Sequence, residues 1–128
     1  MAYEGFSPPS LDGANEQTLG EYRFALVNRD VGLDGGPTVH VFGPVNDQTE
    51  EILRFDCFRK GPHFHLGISY KREPVVPITE PEPLSWVLDE LCTNLPDYLV
   101  RAGADSALDD AWQDRMREVA TEFRAAIA

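Results

Sequence analysis

The hydrophobic pattern of the chain changes its period once, at a proline-rich segment. Before this segment, apolar and polar residues alternate, which is typical of strands with one buried face. After it, apolar residues recur every three to four positions, which is typical of helices. The segment itself, KREPVVPITEPEP, carries four prolines and is therefore unsuited to the middle of a sheet. Strands first and helices afterwards predict an α+β fold.

The first half of the chain holds four alternating segments separated by turn-forming stretches. The segments are YRFALVNR, TVHVFG, EEILRFDCF and HFHLGISY. The stretches between them, DVGLDGGP, PVNDQ and RKGP, are rich in the residues that favour turns. We therefore predict a four-stranded antiparallel meander followed by two to three helices, which pack on one face of the sheet.

The length of 128 residues suits a single domain, and the pattern divides it into four parts. Residues 1–20 show no period and are predicted to form an irregular N-terminal arm. Residues 21–72 form the sheet, and residues 73–83 form an extended connector with room for an edge segment at Val75–Val76. Residues 84–128 form the helical part.

Two apolar stripes predict the helices. The first is followed by Pro96, which ends or kinks a helix, and by Gly103, which closes a further turn. The second helix is predicted to start near Asp105–Ser106. The stripes consist of Leu84, Val87, Leu88 and Leu91 in the first helix, and of Leu108, Trp112, Met116, Val119, Phe123 and Ile127 in the second.

The stretch RFDCFRKGPHFHLGIS, from Arg54 to Ser69, is predicted to be a hairpin with residues 59–62 as its loop. In this register Phe58 faces His63, Cys57 faces Phe64, Asp56 faces His65, Phe55 faces Leu66 and Leu53 faces Ile68. One face of the hairpin is then apolar: Leu53, Phe55, Cys57, Phe64, Leu66, Ile68 and Tyr70. The other, predicted to be open, gathers Arg54, Asp56, His63, His65 and Ser69, joined from the neighbouring strands by His40, Phe42, Arg23 and Arg29, and by Phe58. A register slip of one residue would mix the two sets.

The paired histidines on the polar face suggest a metal site. His63 and His65 project to the same side of one strand, about 6.5–7 Å apart. With His40 or Asp56 they would make a Zn²⁺ or Fe²⁺ site. The simpler alternative is that no cofactor is bound, that Asp56 and His65 form a cross-strand ion pair, and that His63 stacks on Phe58.

Two further functions suit the same face. A carboxylate beside a histidine suits acid–base chemistry, and an arginine holds phosphate or carboxylate, so the catalytic candidates are Arg54, Asp56, His63 and His65. Aromatic and arginine side chains are also favoured in protein interfaces. The candidate binding residues are Arg54, Asp56, Phe58 and His40, and the partner would be another protein or a second copy of the chain.

Charge and composition exclude several classes of function. The formal net charge is −11, from 22 acidic and 11 basic residues, which disfavours general binding to nucleic acids. No apolar run reaches the length of a membrane span, and the first residues do not resemble a secretion signal. Two cysteines in apolar surroundings predict a reduced, cytoplasmic protein.

The segment ILRFDCFRKGPHFH combines an R-[FY]-D strand with a P-H-x-H strand. It resembles small, largely uncharacterised bacterial proteins, in particular the TumE-like toxins of toxin–antitoxin systems, over about 20 of the 128 residues. The resemblance implies a prokaryotic protein with a toxin–antitoxin-type partner, and Arg54, Asp56, His63 and His65 as motif positions. Phe55 stands where that family tends to have tyrosine.

The sequence thus favours a small cytoplasmic binding protein that uses the polar sheet face. The alternative is a histidine-based hydrolase or nuclease, assisted by a metal ion.

Overall fold

The computed structural model describes residues 11, 13–67, 75–105 and 107–127. Within them, one antiparallel sheet has the strand order β1-β2-β3-β4-β5-β6, so each strand lies beside its neighbour in sequence. Two helices follow in the described part of the chain, which confirms an α+β fold with an antiparallel meander. The elements are β1 Asn15–Leu19, β2 Tyr22–Val31, β3 Asp34–Val45, β4 Gln48–Asp56, β5 His63–Leu66, β6 Val75–Pro77, α1 Pro83–Ala102 and α2 Trp112–Ile127.

The prediction of four strands is wrong, because both edges of the sheet carry an additional short strand. At one edge β1, which lies in the segment expected to be an irregular arm, pairs with β2. At the other edge β6 pairs with β5 where the proline-rich connector left room for an edge segment. Strands of five and three residues offer too little alternation to stand out in a sequence. Pro77 is tolerated there because an edge strand does not need every backbone donor.

The stretch expected to be a loop between β2 and β3 is mostly strand, with a turn at Gly32–Leu33. Gly35 and Gly36 have φ of 153° and 152°. A Cβ on Gly36 would lie 2.5 Å from the carbonyl oxygen of Cys57. These glycines therefore mark a close approach of two backbones, which their small size permits.

The strand β4 contains one residue more than β3 needs. Val41 pairs with Leu53, whereas Phe42 pairs with Glu51, so Ile52 is the extra residue of a bulge. Simple alternation places Glu51 on the apolar face together with Leu53. The bulge turns Glu51 to the polar face instead.

The register of the β4–β5 hairpin differs from the expected one by two residues. Asp56 pairs with His63, and Arg54 pairs with His65. The connecting loop covers residues 57–62, because the backbone N–H groups of Cys57 and Arg59 donate to β3 rather than to β5. A shift of two residues leaves every side chain on its expected face. Ile68, Ser69 and Tyr70 lie outside the described residues.

The apolar face of the sheet forms the core with α1 and α2. Phe55 is fully buried, with its ring centre 5.3 Å from that of Phe64 and 5.6 Å from that of Tyr98. The helix α1 is kinked at Asn94, near Pro96, and ends at Gly103 in the left-handed conformation, as expected.

The second helix begins later than predicted, at Trp112 instead of near residue 105. The side chain of Asp109 accepts the backbone N–H of Ala111, so the acidic residues lie in the turn before the helix. Met116, Val119 and Phe123 are buried as expected, Trp112 is half-buried, and Ile127 is exposed. Because both helices lie on the apolar face, the polar face remains on the opposite side of the sheet.

We expect Phe55→Ala to lower the free energy of unfolding by about 3–5 kcal/mol, because it leaves a cavity between two further rings. Urea denaturation measures the change. Leu33→Ala is the control, since Leu33 is 88% exposed and its loss should change stability by no more than about 0.5 kcal/mol. Equal stability of the two variants would contradict the assigned core.

Candidate functional site

The carboxyl group of Asp56, at the end of β4, lies at the centre of a polar cluster that joins four strands. Its Oδ1 atom is 3.1 Å from Nη1 of Arg29 and 3.1 Å from Oγ1 of Thr38. Its Oδ2 atom is 3.1 Å from Nε2 of His63 and 3.2 Å from Nε2 of His65. Asp56 itself is only 2% exposed. We call these five residues the Asp56 cluster.

The strand register explains how the cluster assembles. Thr38, Asp56 and His63 occupy one row across β3, β4 and β5. His65 lies opposite Arg54 and reaches Asp56 diagonally, a distance that a long side chain can bridge. The predicted contact between Asp56 and His65 is therefore present, although the two residues are not directly opposed.

His63 and His65 both contact the carboxylate of Asp56, and His63 also contacts the protein backbone. His63 Nδ1 lies 2.7 Å from the carbonyl oxygen of Gly61 and donates its proton there. The rings of His63 and His65 are 4.9 Å apart at an angle of 77°. Their side chains are 26% and 17% exposed, so solvent reaches both. The expected contact of His63 with Phe58 is present and runs edge to face.

Asp56 is held in its ionised form. Burial alone would raise the pKa of its carboxyl group. The hydrogen bond with His65 and the neighbouring positive charges, Arg29 foremost, outweigh burial and bring the pKa below its usual value. At neutral pH the cluster therefore offers a charged oxygen to a proton or a cation.

Arg54 belongs to a second cluster, which also contains His40 and Glu51. Its Nε and Nη2 atoms donate to the two oxygens of Glu51 at 3.2 and 2.8 Å. His40 Nδ1 lies 2.5 Å from Oε2 of the same carboxylate. His40 Nε2 is buried and has no hydrogen-bond partner among the described residues. We call these three residues the Glu51 cluster.

Glu51 was not among the residues predicted for this face, because only the bulge at Ile52 brings it there. Burial raises the pKa of Glu51, but its hydrogen bonds with His40 and Arg54 lower it by more, so the net pKa is below the usual value. Nothing in the alternation of EEILRFD signals the bulge. The one indication in the sequence was that Glu51, an acidic residue, fell on the predicted apolar face although His40 and Arg54 were expected on the other face.

The prediction of an open face is wrong for its centre. His40, Arg54, Asp56 and Phe58 are each at most 8% exposed. The polar side chains pair with one another, and arginines lie over aromatic rings at the rim, with Arg23 4.6 Å from the centre of Phe42. The accessible part of this face is therefore its rim and the two half-buried histidines, and these four residues are not accessible.

The structure brings together two of the three histidines expected to bind metal. The ligand atoms of Asp56, His63 and His65 all lie within 4.8 Å of one another. His40 belongs to the Glu51 cluster instead, and Asp56 completes the group.

Comparison with known proteins gives a family and no function. Residues 18–126 match the family described as Domain of unknown function (DUF7700). The chain belongs to this family. No curated protein and no solved structure matches it. The DUF7700 match contains every residue of both clusters. Within the described part of this DUF7700 chain, no helix is long and apolar enough to cross a membrane.

In this DUF7700 chain, the pairing of Glu51 should make stability depend on pH. A carboxyl group whose pKa is lowered by folding stabilises the fold fully above its unfolded value, near 4.5, and loses this contribution as the pH falls through the folded value. Glu51→Gln should therefore cost about 3–5 kcal/mol at neutral pH, with the difference from wild type shrinking in acid.

Urea denaturation between neutral and acidic pH measures this difference. Glu118→Gln is the control, since Glu118 is exposed and forms a surface pair with Arg115. Its effect should stay within about 0.5 kcal/mol. A cost for Glu51→Gln that does not vary with pH would contradict the role of the charge.

Proposed function

We propose that the chain binds a divalent transition-metal ion of the Zn²⁺ type through Asp56, His63 and His65. The observation that carries the proposal is the convergence of two imidazole Nε2 atoms on one carboxylate oxygen, at 3.1 and 3.2 Å. Two histidines and one carboxylate form a common ligand set for Zn²⁺ and for Fe²⁺.

The distances suit an ion of this size. Zinc binds nitrogen and oxygen at about 2.0–2.2 Å, so tetrahedral ligands lie about 3.4 Å from one another. The nitrogen–oxygen distances within the group are already close to this value. An ion could therefore replace the direct histidine–carboxylate contacts with small side-chain movements.

The surroundings of the ligands also support the proposal. Metal-binding histidines commonly donate their second N–H to a carbonyl or carboxylate, as His63 does to Gly61. Oδ1 of Asp56 accepts hydrogen bonds from Arg29 and Thr38, which leaves Oδ2 to face the histidines. Both features fix the direction of a ligand atom before an ion arrives.

Charge also favours a cation. The arginines of the two clusters, Arg29 and Arg54, are each paired with a carboxylate, Asp56 and Glu51, so an ion would not meet an uncompensated positive charge from them. The chain as a whole carries a formal charge of −11, which attracts cations from solution.

A hydrolytic activity is the second function that this site would support. Three protein ligands leave a coordination position for water, and zinc lowers the pKa of bound water to about 7. The partial exposure of His63 and His65 would give a small substrate access to a water molecule bound there. Turnover of a chromogenic phosphodiester or ester by the zinc-loaded protein tests this function.

An interaction role at the rim is a third proposal, favoured by the exposed Arg23 that lies over Phe42. A protein partner, in a toxin–antitoxin context or otherwise, or a second copy of the chain would contact this pair. The free thiols of Cys57 and Cys92 suit the reducing cytoplasm that this proposal assumes. Light scattering on wild type and Arg23→Glu tests self-association.

We expect the purified chain to bind one equivalent of Zn²⁺, and Co²⁺ in its place with visible absorption bands of a low-coordinate site. His63→Ala and His65→Ala should each lower the zinc affinity by at least about tenfold, because each removes one of three protein ligands. Competition with a chromogenic chelator measures the affinity.

The matched control is the third histidine. His40→Asn retains a donor toward Glu51 and should leave zinc binding unchanged, since His40 lies outside the ligand group. Wild-type protein that takes up no zinc, or uptake that survives in both His63→Ala and His65→Ala, would refute the proposed site.

A further inference from the structure

We propose that Asp34 is a positioning residue for His63 and that it acts through the backbone of the 57–62 loop. Asp34 lies at the start of β3, away from the ligand group. The expected effect on metal affinity rests on the proposed function, whereas the expected effect on the protonation of the His63 ring is independent of it.

The side chain of Asp34 holds the loop through backbone donors. Its Oδ1 atom accepts the N–H of Gly35, the next residue of β3, at 2.8 Å and the N–H of Lys60 at 3.0 Å. Its Oδ2 atom accepts the N–H of Gly61 at 2.9 Å. One carboxylate thereby orients two successive peptide groups of the loop.

The next group in this series is the carbonyl of Gly61, which lies 2.7 Å from Nδ1 of His63. Glycine is the residue with the greatest backbone freedom, so this carbonyl needs restraint on both sides to keep one direction. Asp34 supplies the restraint before Gly61. After it, Pro62 restricts the backbone, and its own carbonyl accepts the N–H of Ile78 at 2.9 Å.

The direction of the Gly61 carbonyl decides which ring nitrogen of His63 keeps its proton. A carbonyl can only accept, so Nδ1 must carry hydrogen. Nε2 is then the nitrogen that shares a proton with the oxygen of Asp56 and that would exchange this proton for a cation. Without the carbonyl, Asp56 would favour the tautomer with hydrogen on Nε2 alone, and the lone pair would lie on the nitrogen away from the group.

Long-range ¹H–¹⁵N correlation spectra of the metal-free protein at about pH 8, where an ordinary imidazole is neutral, test the role directly. We expect Nδ1 of His63 to be protonated in wild type and deprotonated in a substantial fraction of Asp34→Ala. Zinc affinity should fall by about 10–100-fold in Asp34→Ala, the range expected when a group that orients a metal ligand is lost.

Asp34→Asn serves as the conservative variant and covers the case in which Asp34→Ala fails to fold. Its amide oxygen can still accept one or two of the backbone donors, so it should retain part of the Nδ1 protonation and of the zinc affinity. Asp105→Ala is the matched control. Asp105 also accepts a backbone N–H, that of Asp47 in the turn between β3 and β4, and neither residue belongs to the 57–62 loop. The substitution should change neither measurement.

Two results would overturn the proposal. The first is a wild-type His63 with hydrogen on Nε2 and none on Nδ1. The second is an Asp34→Ala protein that keeps both the wild-type tautomer and a zinc affinity within about twofold, whatever its stability, or, where that variant does not fold, an Asp34→Asn protein that loses nothing in either measurement. If wild type takes up no zinc, the proposed function fails, while the tautomers still decide the role of Asp34.

Discussion

A buried carboxylate must be neutralised or surrounded by donors, and Asp56 meets this requirement with partners from three other strands. An unpaired charge in the protein interior costs several kcal/mol. Arg29 from β2, Thr38 from β3 and two histidines from β5 each contact one of its two oxygens. The length of β2, the register of the hairpin and the position of the 57–62 loop are all needed to bring these groups to one place.

The polar face satisfies its charges in two separate clusters, and the bulge at Ile52 is what separates them. With Glu51 on this face, Arg54 has a bidentate carboxylate partner of its own. Asp56 is then paired with Arg29 on one oxygen and keeps the other for His63 and His65. If Arg54 bound Asp56 instead, a second guanidinium would occupy the side of the carboxylate that faces the histidines.

The sequence was sufficient to predict the faces of the strands and a helix that ends or kinks near Pro96, and it placed Asp56, His63 and His65 on one face together with His40 and Arg54. It could not predict the register, because a shift of two residues buries the same side chains. The backbone bonds of Cys57 and Arg59 to β3 decide the register, and such bonds leave no trace in side-chain pattern. Glu51 was missed for a related reason, since a bulge reverses alternation at a single position.

Asp56 has two roles that its own substitution cannot separate. The same carboxylate joins the sheet and would supply the ligand oxygen of the proposed metal site, so Asp56→Asn would weaken stability and zinc binding together. His63 and His65 are on β5, where their side chains are partly exposed, and Asp34 accepts hydrogen bonds from the backbone of the 57–62 loop. Changes at these positions leave the contacts of Asp56 with Arg29 and Thr38 in place. The arrangement therefore puts the groups that an ion would displace at the accessible side of the carboxylate, and the groups that hold the sheet at its buried side.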